Sequence, residues 1–227
     1  MRAGEGLVGT FLNLGSTLAA EICARAGFAW VLVDLEHGAG NEADLIPTLQ
    51  ACGDVPVFVR IEQNERPRVQ RALDAGAAGV MVPRVGSVDD ARAAVSHLRY
   101  PPEGDRGVAY MNRAADFGAG ATQRDVLCIV QVETRGAVEQ VDELAQLDGV
   151  DVLFVGPADL GAAIGADAVD DATESVLRAC QRGRVAAGIF TRKRADAERA
   201  LERGFRFVGL ASDSYFLARA ARAAARA

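Results

Sequence analysis

The chain alternates two textures. Short runs of β-branched and large apolar residues occupy 7–12, 29–34, 56–61, 79–83, 126–132, 151–155, 186–190 and 206–210, the pattern of strands buried on both faces. Between them lie stretches whose apolar residues recur every three to four positions, at 18–26, 67–75, 88–97, 137–147 and 194–203, the pattern of helices with one face on a core. Gly27, Gly76, Gly149 and Gly204 stand where helix C-terminal caps belong. Strict strand-then-helix alternation predicts a parallel sheet. Eight such units in 227 residues predict closure into one (β/α)8 TIM barrel spanning 1–227. An open doubly wound sheet is the alternative, and the lack of a Gly-x-Gly-x-x-Gly turn after the first run counts against its dinucleotide-binding version. The last stretch, about 213–227, reads as an Ala/Arg-rich helix that packs on its own barrel or on a neighbouring subunit.

Polar groups are scarce inside the apolar runs and gather just beyond them. The second run ends in Asp34-Leu35-Glu36-His37, the third in Arg60, the fifth in Gln131-Val132-Glu133, and the sixth in Gly156-Pro157-Ala158-Asp159. In a parallel barrel these ends converge on one rim, where such folds place their chemistry. Glu133 and Asp159, two oxygen donors from adjacent strand ends, suit Mg2+, Mn2+ or Co2+ with positions left open for water and substrate. The competing reading makes Glu133 a helix N-cap and Asp159 a turn residue. Gln131 lies two positions before Glu133 and so points to the same face, where it can orient a water or a substrate. His37 is a candidate general base, with Asp34 three residues before it and Asp74 at a helix end as carboxylates to orient it; a structural histidine is the plainer account. Glu36 reads as a supporting acceptor or a solvated acid, and His97 receives no role. Arg60 ends a buried strand, so it meets either a protein carboxylate or a substrate oxyanion, and its planar fork suits both. Amides around Pro157-Ala158-Asp159 form an anion seat of the strand-to-helix kind.

A net charge of −6 with basic residues scattered along helical faces argues against a nucleic-acid partner. No apolar run reaches the ~20 residues that span a bilayer, and no signal pattern opens the chain, so a soluble, cytoplasmic protein is expected. Cys23, Cys52, Cys128 and Cys180 lack any C-x-x-C pairing and read as reduced, buried thiols rather than a zinc site.

Taken together, several pieces carry a resemblance: Gly27-Phe28-Ala29-Trp30 leading to Asp34-Leu35-Glu36-His37, Val59-Arg60, Arg71-Ala72-Leu73-Asp74-Ala75-Gly76, Arg99-Tyr100-Pro101-Pro102-Glu103-Gly104-Asp105-Arg106-Gly107, Gln131-Val132-Glu133-Thr134 and Val155-Gly156-Pro157-Ala158-Asp159-Leu160. With them the chain resembles the HpcH/HpaI aldolase/citrate lyase family, metal-dependent (class II) pyruvate aldolases on a phosphoenolpyruvate/pyruvate-type barrel. The resemblance implies reversible aldol cleavage of a 4-hydroxy-2-oxo acid to pyruvate and an aldehyde. It implies Glu133 and Asp159 as ligands of a divalent cation, and His37, paired with Asp74 near Asp34, as a base working with a metal-bound water. It makes Arg60 the group facing the enolate, Gln131 a pocket residue, the Ala158 and Asp159 amides the carboxylate seat, and Phe190 a limit on aldehyde size. It also implies a homo-oligomer, a hexamer built as a trimer of dimers that exchange their last helix. The chain departs from the family in three places. The segment from Gly107 to the fifth strand and the stretch from Gly161 to Thr173 look trimmed, and both are expected over the rim. Arg84 stands where relatives carry an apolar residue; it forms either a subunit salt bridge, the favoured reading, or a contact to an acidic acceptor. Two other functions stay open: a citrate-synthase-like or malyl/citryl-CoA lyase reaction on the same site, and a non-catalytic 2-oxo acid binding barrel.

Overall fold

The computed structural model describes residues 6–122, 125–183 and 185–226. Its strands are β1 (Leu7–Leu12), β2 (Trp30–Asp34), β3 (Val57–Arg60), β4 (Gly79–Val82), β5 (Leu127–Val132), β6 (Val152–Val155), β7 (Ala186–Thr191) and β8 (Phe207–Ser212). They pair in parallel in chain order, and β8 returns to β1, closing the barrel. The (β/α)8 expectation holds, with each strand within two residues of its predicted bounds. Valine, stiff at χ1 and well fitted to a pleated surface, makes up much of β2, β4 and β6.

The helices are α1 (Thr17–Arg25), α2 (Leu45–Ala51), α3 (Arg66–Asp74), α4 (Val88–Leu98), α5 (Arg135–Glu139), α6 (Val141–Leu144), α7 (Pro157–Ile164), α8 (Val169–Arg182), α9 (Arg194–Arg203) and α10 (Asp213–Ala224). Ser16, Ser87, Thr134 and Ser212 cap the N-termini of α1, α4, α5 and α10 through their side chains. The four glycines expected as caps all adopt positive φ, and Gly204 is the left-handed cap of α9. The single helix expected over 137–147 is two short ones. Gln140 leaves helical geometry between them, and its side chain accepts the Val88 amide at 3.1 Å.

Two apolar layers result. One fills the space between strands and helices. The other lies inside the barrel and is built mainly of Phe11, Trp30, Phe58, Phe154 and Phe207. Trp30 and Phe207 stack with centroids 4.1 Å apart, and Phe58 meets Phe207 edge-on at 5.3 Å. Room for the indole comes from β1: a Cβ on Gly9 would lie 2.0 Å from the Trp30 ring.

Topology corrects one placement. A helix in this fold runs against its strand, so α4 ends at the level where β5 begins. The described part of the segment joining them lies at the amino ends of the strands, opposite the rim over which the trimmed stretch after Gly107 was expected. The other trimmed stretch, in α7 and α8, does follow the carboxyl end of β6. The start of α10 packs on its own barrel, Phe216 stacking on Phe28 at 6.0 Å, while Leu217 remains exposed. The four cysteines are free and buried. No helix among the described residues is long and apolar enough to cross a membrane.

Candidate active site

Register brings the first two groups together. Asp34, the last residue of β2, pairs in the ladder with Arg60, the last of β3. The guanidinium meets the carboxylate in a two-pronged contact, Nε to Oδ1 at 2.9 Å and Nη2 to Oδ2 at 2.7 Å. Asn13 Nδ2 at 2.8 Å and the backbone amides of Glu36 and His37 at 3.1 and 3.2 Å supply further donors to Asp34. With so many donors on it, Asp34 is a scaffold for Arg60 and for the turn that carries His37. Burial pulls the Arg60 pKa down, but the Asp34 hydrogen bonds and the charges of Asp34, Glu36 and Glu133 outweigh it, holding the guanidinium above its ordinary value. Only Nη1 stays off Asp34, and it reaches Gln131 Oε1 at 3.4 Å.

The acidic pair comes from β5 and β6. Glu133 lies just past β5 and is buried; its Oε1 accepts the Arg84 amide at 2.6 Å and its Oε2 accepts the Gln131 side chain. The N-cap reading of Glu133 fails, because Thr134 Oγ1 caps α5 by accepting the Ala137 amide at 3.1 Å. Burial raises the Glu133 pKa, the Arg84 amide and Arg60 oppose this, and the charges of Glu36 and Asp159 add to the rise. Asp159 sits in the first turn of α7, behind Pro157 at the first helical position, where the helix N-terminus favours an acid. Gly156 lets the two elements close up: a Cβ there would stand 2.9 Å from Gln131 Nε2 and 3.3 Å from Glu133 Oε2.

A cavity of about 240 Å3 opens over these groups, lined among others by His37, Arg60, Gln131, Pro157, Ala158, Asp159 and Phe190. Phe190 packs edge-on against Phe11 at 5.2 Å and closes its apolar wall. A larger cavity of about 610 Å3 lies at the other end of the barrel beside Trp30, Leu127 and Phe207. It lacks the convergent strand-end acids, so size does not mark the reactive end.

One predicted member is not brought to this site. Asp74 ends α3, hence lies toward the amino ends of the strands, with Arg106 Nη2 at 3.6 Å. It is not the carboxylate beside His37 within this chain. That neighbour is Glu36, whose Oε2 lies 3.8 Å from His37 Nε2 and 3.4 Å from Arg60 Nη1, while its Oε1 lies 3.7 Å from Arg84 Nε. Burial pushes the Glu36 pKa up, against the pull of Arg60, His37 and Arg84. Arg84 bonds within the chain as well, giving Nη2 to the Glu62 carbonyl at 2.7 Å. Sequence reasoning left Glu36 open between a supporting acceptor and a solvated acid, and the structure favours the first; it missed Asn13, although Asn13 follows the first strand.

Among the described residues no three His, Cys, Asp or Glu side chains gather as a metal cluster. The donor set at the rim is two carboxylates and an amide, oxygen donors of the kind a divalent cation takes; burial is the main cause of the raised Glu133 pKa, and the charges of Glu36 and Asp159 add to it.

Residues 7–220 match the pattern that defines the HpcH/HpaI aldolase/citrate lyase family. The chain is 38% identical to a hydroxypyruvate/pyruvate aldolase of Paraburkholderia phytofirmans, covering 99% of this chain and 94% of that one. It is 37% identical to a 4-hydroxy-2-oxo-heptane-1,7-dioate aldolase of Salmonella arizonae, covering 99% and 91%. The crystal structure of a HpcH/HpaI aldolase/citrate lyase family protein from Burkholderia cenocepacia superposes with a TM-score of 0.94 at 39% identity, over 99% of this chain and 95% of that one. With its closed barrel and its strand-end acids in place, the chain belongs to the HpcH/HpaI aldolase/citrate lyase family.

Proposed function

We propose that this chain is a class II aldolase that reversibly cleaves 4-hydroxy-2-oxo acids into pyruvate, or a related 2-oxo acid, and an aldehyde. Names of relatives at 37–38% identity support the reaction class. The observation that carries the reading is the opposition, around one cavity, of a clamped Arg60 and Asp159, with the buried Glu133 accepting the side chain of the lining Gln131. Glu133 and Asp159 would hold a divalent cation (Mg2+, Mn2+ or Co2+), with Gln131 beside it. When bound, the cation supplies Lewis-acid polarisation of the 2-oxo group.

The chain's own residues account for the remaining work. The Ala158 and Asp159 amides, in the first turn of α7, seat the substrate carboxylate. Arg60 turns its Nη1 edge to the oxygen on which negative charge grows as the carbon–carbon bond opens. Its bidentate hold on Asp34 fixes that edge in advance, so little reorganisation accompanies the charge. His37 takes the proton of the 4-hydroxyl in cleavage and returns it in condensation. Phe190 and Phe11, the latter with the Arg60 guanidinium over its ring at 5.5 Å, form the apolar wall and favour a small aldehyde. The exposed Leu18, Ile22 and Leu217 on α1 and α10 fit a homo-oligomer, a hexamer as trimer of dimers, working in the cytoplasm.

A steady-state aldol assay with pyruvate, an aldehyde panel and Mn2+ tests the reading. Asp159→Ala and His37→Ala should each abolish turnover, and full activity in Asp159→Ala would remove the acid pair from the mechanism. The second reading, a lyase acting on CoA thioesters, predicts turnover with those esters in place of the aldehyde panel.

A further inference from the structure

Glu36 is the anomaly of the rim. Its side chain is 10% exposed, and Oε2 is a buried oxygen with no hydrogen-bond partner among the described residues. A buried acceptor left without a donor is destabilising, so such an atom calls for an explanation. Three basic groups surround the Glu36 carboxylate at 3.4 to 3.8 Å: Arg60 from β3 and His37 from the turn after β2 on the Oε2 side, and Arg84 from the end of β4 on the Oε1 side. All three are within ion-pair range.

The two cavity-facing neighbours are otherwise fixed chiefly from one side, the addition being a long 3.4 Å bond from Arg60 Nη1 to Gln131 Oε1. Asp34 takes Nε and Nη2 of Arg60, and the sole anion within ion-pair range of the remaining Nη1 among the described residues is Glu36. Asp34 also anchors the His37 backbone at 3.2 Å, yet the imidazole is 60% exposed and Glu36 is the acid beside it. Arg84, whose amide is already bound to Glu133, faces the other oxygen of Glu36.

We propose that Glu36 is a positioning residue that aims the Arg60 Nη1 edge and the His37 ring together at the substrate, with Arg84 holding its carboxylate from the rim. The proposal deepens the aldolase reading and rests on it for its kinetic part. One anion shared by the group that faces developing charge and the group that moves the proton couples their placement, so a single change disturbs both.

The chain has two histidines, which makes imidazole NMR a direct readout. In Glu36→Gln, isosteric and neutral, the His37 ring signals should move while those of His97, held by Asp105 at 3.0 Å, stay in place. Turnover in the metal-loaded enzyme should fall about tenfold or more, with KM for pyruvate within about twofold. Glu36→Ala should regain part of its turnover in added formate, which Glu36→Gln should not. Glu36→Asp, charged but set back by one methylene, should fall between wild type and Glu36→Gln. An unmoved His37 signal, turnover within about twofold of wild type, or a loss confined to KM overturns the proposal. If His37 moves as described but wild type shows no aldol turnover, the aldolase reading falls and the placement of the ring by Glu36 stands.

Discussion

The two ends of the barrel are built from the same eight strands and obey different rules. Toward the amino ends, inward positions carry Trp30, Phe58 and Phe207, buried and in contact with one another. Toward the carboxyl ends they give way to Asp34, Arg60, Gln131 and Glu133, buried as deeply but charged or polar. Aromatic contact gains free energy from every neighbour, whereas buried acids gain only what their partners return. The lower layer therefore stabilises, and the upper layer holds charge in place for a substrate at some expense in stability.

That contrast is easiest to break from below. Phe207→Ala should cost about 3–5 kcal/mol of stability, read as a lowered denaturant midpoint, while the folded fraction keeps its turnover. A comparable loss of specific activity in the folded fraction would show the two ends to be mechanically joined. At the rim, Arg60→Lys keeps the charge and loses the fork, and kcat should fall about 100-fold, or about 2.7 kcal/mol, with little change in thermal midpoint.

Glu133→Gln sharpens the comparison by sign. The folded-state pKa of Glu133 is raised, chiefly by burial, so the stability it contributes is full below the unfolded-state value and is lost as pH rises through the folded-state value. Above that window, metal-free Glu133→Gln should melt higher than wild type and be inactive. Mn2+ should raise the wild-type midpoint and leave the variant unmoved. The smallest effect is expected for Asp151→Asn at the opposite end, where an acceptor for the Cys128 amide at 2.8 Å is retained. There, stability should change by about 1 kcal/mol or less and turnover should not change.

The strands were legible because they share one look: short, almost wholly apolar and closed by a polar residue, a proline or a glycine. Even β7, rich in alanine and glycine, stood out between two helical stretches. The rim was legible for the same reason, since Arg60 and Glu133 break apolar runs where a charge has no cheap neighbour. Pairings across the barrel were not. Asp74 and Glu36 are both acids near a family motif, and only the direction of α3 tells that one ends at the far side while the other stands beside His37. The break at Gln140 was hidden too, because a long-range bond to the Val88 amide, rather than local preference, accompanies it.

The stack of Trp30 on Phe207 makes the barrel a cup instead of a pipe. With its floor sealed by rings, whatever enters through the mouth must leave by the same opening, and two reactants sharing one doorway queue in order: the deeper arrives first and departs last.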